Sequence, residues 1–93
     1  MVLYDGPSMD TIPDVAARLA PFLAAALRRE RGEKGWSVIE WARRADVDRS
    51  HLAEILDEKR APTVEMLEKL TEAIGLPLSG LFLEAERLRD AKR

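Results

Sequence analysis

The residues best equipped for chemistry lie in one short polar segment, where Arg49, Ser50 and His51 are followed one turn later by Glu54. Their side chains supply hydrogen-bond donors and acceptors. The sequence contains no cysteine, no nucleophile–base pair and no phosphate-cradling glycine loop, and a lone histidine cannot form a metal site of the usual kind. The segment therefore indicates a binding surface, and we expect neither an enzyme nor a cofactor.

Two short helices are predicted to position this segment. Ser37 is a good N-cap, with Glu40 three residues later as a capping-box partner, for a helix that ends at about Ala45. Asp48 is a strong N-cap for a second helix over about 49–57. Each is shorter than the roughly 12–15 residues that an isolated helix needs in water, so both depend on packing.

The apolar residues around the intervening turn predict how these helices meet. Ala42 is small enough to allow a close crossing, Val47 is apolar although it lies in the turn, and Leu52 and Ile55 share one face of the second helix. This pattern is typical of a helix-turn-helix. Such a motif leaves the outer face of its second helix free to fit the major groove of DNA.

The N-terminal third is predicted to hold one interrupted helix. Residues 1–12, which include the turn signal GPS, are expected to form an irregular arm. The helix is expected to begin at Pro13, and Pro21 predicts a kink or a junction of two helices near 19–21. The glycines of the segment RRERGEKG are expected to end it.

The second half predicts two more helices. Thr63 caps a helix that Gly75 closes, and a last helix is expected over about 79–91. The chain then has an N-terminal arm, one five-helix domain over residues 13–83 and a C-terminal helical extension over residues 84–93.

Composition limits the class of protein. The 93 residues include 46% apolar residues, enough for one core in which Trp36 and Trp41 are the bulkiest members. No segment resembles a membrane span or a signal peptide, so we expect a cytoplasmic protein with no membrane partner. The net charge is −2, and the most basic third, residues 28–60, carries nine basic and eight acidic side chains. Electrostatics alone does not indicate nucleic acid.

The block from Trp36 to Phe82 resembles the Cro/C1-type (XRE) helix-turn-helix domain of phage repressors and bacterial regulators. The matching runs keep the family's order and spacing without gaps. They are S-x-x-E-x-A from Ser37, V-D-R-S-x-L-x-x-I from Val47, K-R-x-P-T-x-E-x-L-x-K-L from Lys59 and A-I-G-L-P-L-x-x-L-F ending at Phe82. The resemblance implies an all-α, five-helix, lambda-repressor-like bundle that binds double-stranded DNA.

The resemblance also implies site residues. Family members insert the helix beginning at Arg49 into the major groove, which places Arg49, Ser50, His51 and Glu54 where base edges are read. Arg49 would pair with guanine, and Glu54 would accept a hydrogen bond from cytosine. Phosphate contacts are expected from five residues, namely Ser37, Arg43, Arg44, Lys59 and Arg60.

Several positions depart from the family pattern. Val38 replaces a common glutamine, and Asp46 and Glu58 stand where glycine is usual. We expect a repressor that acts as a homodimer, with Ala85 and Leu88 as candidates for the dimer surface. The acidic pI near 5.4 and the acids around the second helix keep an alternative open, in which the domain binds a regulatory protein partner or acts as an antitoxin-like protein-interaction module.

Overall fold

The computed structural model describes residues 6–92, with side chains from residue 18 onward. This part of the chain holds five α-helices joined by short connections: α1 (Gly6–Lys34), α2 (Val38–Ala45), α3 (Arg49–Leu56), α4 (Val64–Ile74) and α5 (Leu78–Ala91). The predicted all-α, five-helix architecture is confirmed. Within the same residues, no helix combines the length and the apolar character needed to cross a membrane.

α1 is longer than the sequence predicts. It begins at Gly6 and not at Pro13, and it continues through Pro21 as one helix, so the predicted start and the predicted junction of two helices are wrong. Pro21 is exposed, whereas the next two turns bury Leu23 and Leu27. The burial of these side chains offsets the backbone hydrogen bond that proline cannot donate. The part of the predicted arm over residues 1–5 lies outside the described residues.

The ends of the short helices agree with the predicted caps. Ser37, Asp48 and Thr63 each accept a hydrogen bond from the backbone N–H three residues later, at 3.1, 2.8 and 3.1 Å. Gly75 closes α4 in the left-handed region with φ 75°. Because these bonds satisfy backbone groups that a helix leaves unpaired, they fix where each short helix starts and stops.

The core lies between the five helices, where α2 packs against α3 and α4, and α1 packs against α3 and α5. Trp41 is fully buried, and its Nε1–H donates to the Leu70 carbonyl of α4 at 3.2 Å. Trp36 is only half-buried and packs against the edge of the core. α5 packs along α1, which encloses Leu81 and Ala85 completely. α3 in turn packs against both α2 and α1, which hold it in place.

Candidate nucleic-acid interface

The turn between α2 and α3 is short and hydrogen-bonded. Asp46 adopts the left-handed conformation with φ 58° and ψ 50°, and the Val47 N–H donates to the Ala42 carbonyl at 3.0 Å. Asp48 then caps α3 through the His51 N–H. The turn therefore fixes the direction in which α3 leaves α2, as a helix-turn-helix requires.

α3 has a buried face and an outer face. Leu52, Ile55 and Leu56 are buried in the core. Arg49 and Ser50 are exposed at the start of the helix, and within the described residues the Arg49 side chain makes no ion pair or hydrogen bond. The first turn of α3 therefore presents a free guanidinium and a hydroxyl to solvent.

His51 is placed differently from its neighbours. It is half-buried and lines a cleft of about 260 Å³ together with Thr63 and Lys69. Its Nε2 atom is buried and has no hydrogen-bond partner in the described part of the chain. Of the four predicted base readers, His51 is thus the one whose ring lies against the body of the domain.

Glu54 lies one turn after Ser50 on α3 and forms an ion pair. The Nε atom of Arg60, in the loop after α3, is 2.9 Å from Glu54 Oε1. The Glu54 side chain is 43% exposed and the Arg60 side chain is 54% exposed, so the pair lies at the surface. The structure brings together a predicted base reader and a predicted phosphate contact, a pairing that the sequence did not reveal.

A second cluster of charges lies on α2. The Glu40 carboxylate accepts hydrogen bonds from Arg43 Nη2 at 2.7 Å and from Arg44 Nε. These hydrogen bonds lower the pKa of the Glu40 carboxyl below its usual 4.5, and the bond from Arg43 has the larger effect. The Arg44 guanidinium also lies over the Trp36 ring, 4.6 Å from its centroid. Both predicted phosphate contacts are therefore held close to the surface of α2.

The remaining predicted residues fall into two groups. Ser37 and Lys59 are exposed at the start of α2 and after α3. Ala85 is completely buried in the chain's own core, and Leu88 is half-buried against that core. Ala85 consequently has no accessible surface to present to a second chain, whereas Leu83, on the same helix, is 58% exposed.

Arg28 is a residue near this surface that the sequence did not predict. Arg28 of α1 donates from Nη1 to the Leu56 carbonyl at the end of α3, and its Nη2 lies 3.4 Å from Glu58 Oε2. Glu58 has a left-handed φ of 63°. No local pattern signals this contact, because the partners are 28 and 30 residues apart.

The comparisons with known proteins agree with this geometry. The family described as Helix-turn-helix matches residues 27–81, which include α2, the turn, α3 and α4. The HTH-type transcriptional regulator SutR of Escherichia coli (strain K12) is 33% identical over 61 residues. That match covers 66% of this chain and 34% of the relative, so the chain spans about a third of the relative's length. The chain belongs to the Cro/C1-type helix-turn-helix family.

Proposed function

We propose that this protein is a sequence-specific DNA-binding regulator of transcription, and more narrowly a repressor, that inserts α3 into the major groove. The observation that carries the proposal is the free, exposed Arg49 on the first turn of a capped α3. Its guanidinium has the donors for a bidentate contact with guanine O6 and N7. The relative from Escherichia coli is an HTH-type transcriptional regulator, and this similarity supports a regulator. We propose that the protein works in the cytoplasm.

In this proposal the base-reading set is narrower than the sequence suggested. Arg49 and Ser50 read base edges directly, and Glu54 accepts from a cytosine amino group once its carboxylate is released from Arg60. His51, which lies against the domain, supports the helix and does not read bases.

In this proposal, phosphate contacts come from basic side chains on α2 and after α3 and from the start of α2. Lys59 is exposed, and Ser37 stands at the start of α2, where backbone N–H groups attract an anion. Arg43 and Arg44 must first exchange their bonds with Glu40 for bonds with phosphate. This competition predicts weak binding, and the phosphate contacts that do form make the affinity fall as the salt concentration rises.

We propose that two copies act together, because one small domain with an acidic pI makes few phosphate contacts. A dimer would bind two half-sites about 34–36 Å apart. Leu83 is the exposed apolar residue of α5, and we place the proposed dimer surface there because Ala85 is completely buried. Leu83→Glu should lower the dimer fraction in sedimentation and weaken binding to a two-site duplex more than to a single half-site.

The test uses a duplex covering the gene's own upstream region and a random duplex of equal length, titrated at several salt concentrations. We expect Arg49→Ala to lose about 1–3 kcal/mol of preference for the upstream duplex. Arg87→Ala is the matched control, because Arg87 carries the same charge and is 74% exposed on α5. It should keep the wild-type preference. If the wild-type protein binds both duplexes equally at low salt, the proposal is wrong.

A second candidate function is binding of a regulatory protein, including an antitoxin-like role. It is favoured by exposed apolar side chains beside the motif, since Ile39 on α2 is 58% exposed and Val64 at the start of α4 is 61% exposed. Under this alternative, Ile39→Ser should abolish partner binding, whereas Arg49→Ala should not. The duplex titration separates the two candidates, because only a DNA reader gives a steep negative slope of log affinity against log salt.

A further inference from the structure

We infer that Arg28 is a positioning residue for α3: it clamps the C-terminal end of the helix to α1 and so holds the base-reading face in place. This inference rests on the proposed function. It concerns a residue outside the helix-turn-helix that contacts no base in the proposal.

The contact completes the hydrogen bonding of the helix end. An α-helix leaves its last four carbonyls without a partner inside the helix. Here the carbonyls of three residues accept from the backbone N–H groups that follow, namely Ala53 from Asp57, Glu54 from Lys59 and Ile55 from Glu58. The fourth, that of Leu56, accepts from Arg28 Nη1 at 2.5 Å. Arg28 also places a positive charge at the negative end of the helix dipole.

The same guanidinium holds the residue that turns the chain away from α3. Glu58 has a φ of 63°, a conformation that disfavours residues other than glycine. Its carboxylate lies 3.4 Å from Arg28 Nη2. Arg28 therefore stabilises a strained turn and also neutralises the charge of an exposed acid at the end of α3.

α3 needs such an anchor because it is only eight residues long. A helix of this length does not keep its shape without tertiary contacts. Its N-terminal end is fixed by Asp48 and the turn, while the other end is tied to α1 by Leu56 and Glu58. Base recognition depends on hydrogen bonds that weaken within a few tenths of an ångström, so a loosened end lowers sequence preference.

The adjacent residue provides a matched control. Arg29 lies next to Arg28 on α1 and is also exposed, but its Nη1 pairs with Glu84 of α5 at 2.5 Å. Arg28→Met and Arg29→Met remove the same charge from adjacent positions. The first breaks the ion pair with Glu58, and the second breaks the ion pairs with Glu33 and Glu84. A general effect of charge on DNA binding is therefore common to both variants, and only Arg28→Met releases α3.

The first experiment measures the affinity of each variant for the upstream duplex and for a random duplex at one salt concentration. Arg28→Met should lower the ratio of the two affinities by about tenfold, on the scale of one lost base contact. Arg29→Met should leave that ratio within about twofold of the wild-type value, because the loss of a surface ion pair has only a small effect. A loss of folding stability alone scales both affinities equally and does not move the ratio. Equal ratios in the two variants would overturn the inference.

The second experiment needs no DNA. Amide hydrogen exchange of Glu58 and Lys59 reports the opening of the end of α3. Exchange should become faster in Arg28→Met and stay unchanged in Arg29→Met; unchanged exchange in both would contradict the clamp. Glu58→Gln, which keeps the bond to Leu56, should give a smaller increase and serves if Arg28→Met does not fold. A wild-type protein without preference for the upstream duplex would refute the proposed function, while the exchange result still decides on Arg28.

Discussion

The Nε atom of Arg60 lies 2.9 Å from a carboxylate oxygen of Glu54, so the loop after α3 neutralises the acid on the outer face of that helix. Each residue alone has a simple expected effect on DNA: an acid repels phosphate, and a base attracts it. When Glu54 and Arg60 pair with each other, neither charge is fully available to DNA. The affinity for DNA then depends on which new bonds replace the ion pair. The effects of Glu54 and Arg60 on DNA affinity are therefore coupled.

Removing either partner should have opposite effects on binding. Arg60→Met leaves Glu54 unpaired near the phosphates and removes a cation, so affinity for any duplex should fall by about 1 kcal/mol or more. Glu54→Gln removes the repulsion and frees Arg60, so affinity for random DNA should rise while preference for the upstream duplex falls. Titrations of both duplexes measure these changes.

The double variant checks that the two residues act together. If the ion pair exists in solution, the effects of Arg60→Met and Glu54→Gln on affinity should not add. Strict additivity would mean that each residue acts alone and would contradict the coupling described here.

The carboxylate of Glu40 should make the folding stability of the domain depend on pH in the acidic range. Its pKa is lowered by hydrogen bonds from Arg43 and then Arg44, so the ionised form stabilises the folded state. This contribution is complete above the unfolded pKa, near 4.5, and is lost as the pH falls through the lower folded pKa. Glu40→Gln should therefore lower the melting temperature at pH 7, and this decrease should become smaller as the pH falls below 4.5 towards the lower folded pKa. A decrease that does not change with pH would argue against the ion pair.

Trp41→Phe should destabilise the domain strongly. The change leaves a cavity among fully buried side chains and removes the indole donor to the Leu70 carbonyl, which together should cost about 2–4 kcal/mol. Trp36→Phe is the control, since Trp36 is half-buried and loses mainly its contact with Arg44, worth below about 1 kcal/mol. Urea denaturation measures both, and comparable losses would show that Trp41 is not the central core residue.

Asp46→Gly should stabilise the folded domain. Asp46 has φ 58°, where glycine has no steric penalty, although glycine also gains entropy in the unfolded chain, so the net gain should be about 0.5 kcal/mol. Asp46→Ala, which keeps the strain, should be less stable than wild type. The denaturation midpoint at constant m-value measures the change. A loss of stability in the glycine variant would mean that the Asp46 side chain makes a contribution of its own.

The features that sequence predicted well are local ones. The caps at Ser37, Asp48 and Thr63 depend on residues only three positions apart, and the buried stripe of α3 follows from helical spacing. The family match then gave the arrangement of α2 and α3. Exposure of Ser50 follows from the same periodicity, because it lies opposite Leu52 and Ile55 on the helix.

The features that sequence missed depend on tertiary contacts. Pro21 indicated a junction of helices, but burial of the turns that follow it outweighs its local preference. The pairing of Arg28 with the end of α3 joins residues about 30 positions apart and leaves no periodic signal. His51 has the same polar character as its neighbours, and only the position of the ring against α4 distinguishes it.

The two tryptophans of the chain stand in contrasting surroundings, and this gives the protein its own fluorescent reporters. Trp41, enclosed on all sides, should emit at short wavelength until the core opens. Trp36 lies beneath the Arg44 guanidinium at the edge of α2, so its emission should respond when a phosphate draws that cation away. Trp36→Phe, which should cost little stability, leaves Trp41 alone to report unfolding, and the difference in emission between wild type and this variant isolates the signal of Trp36 on ligand engagement.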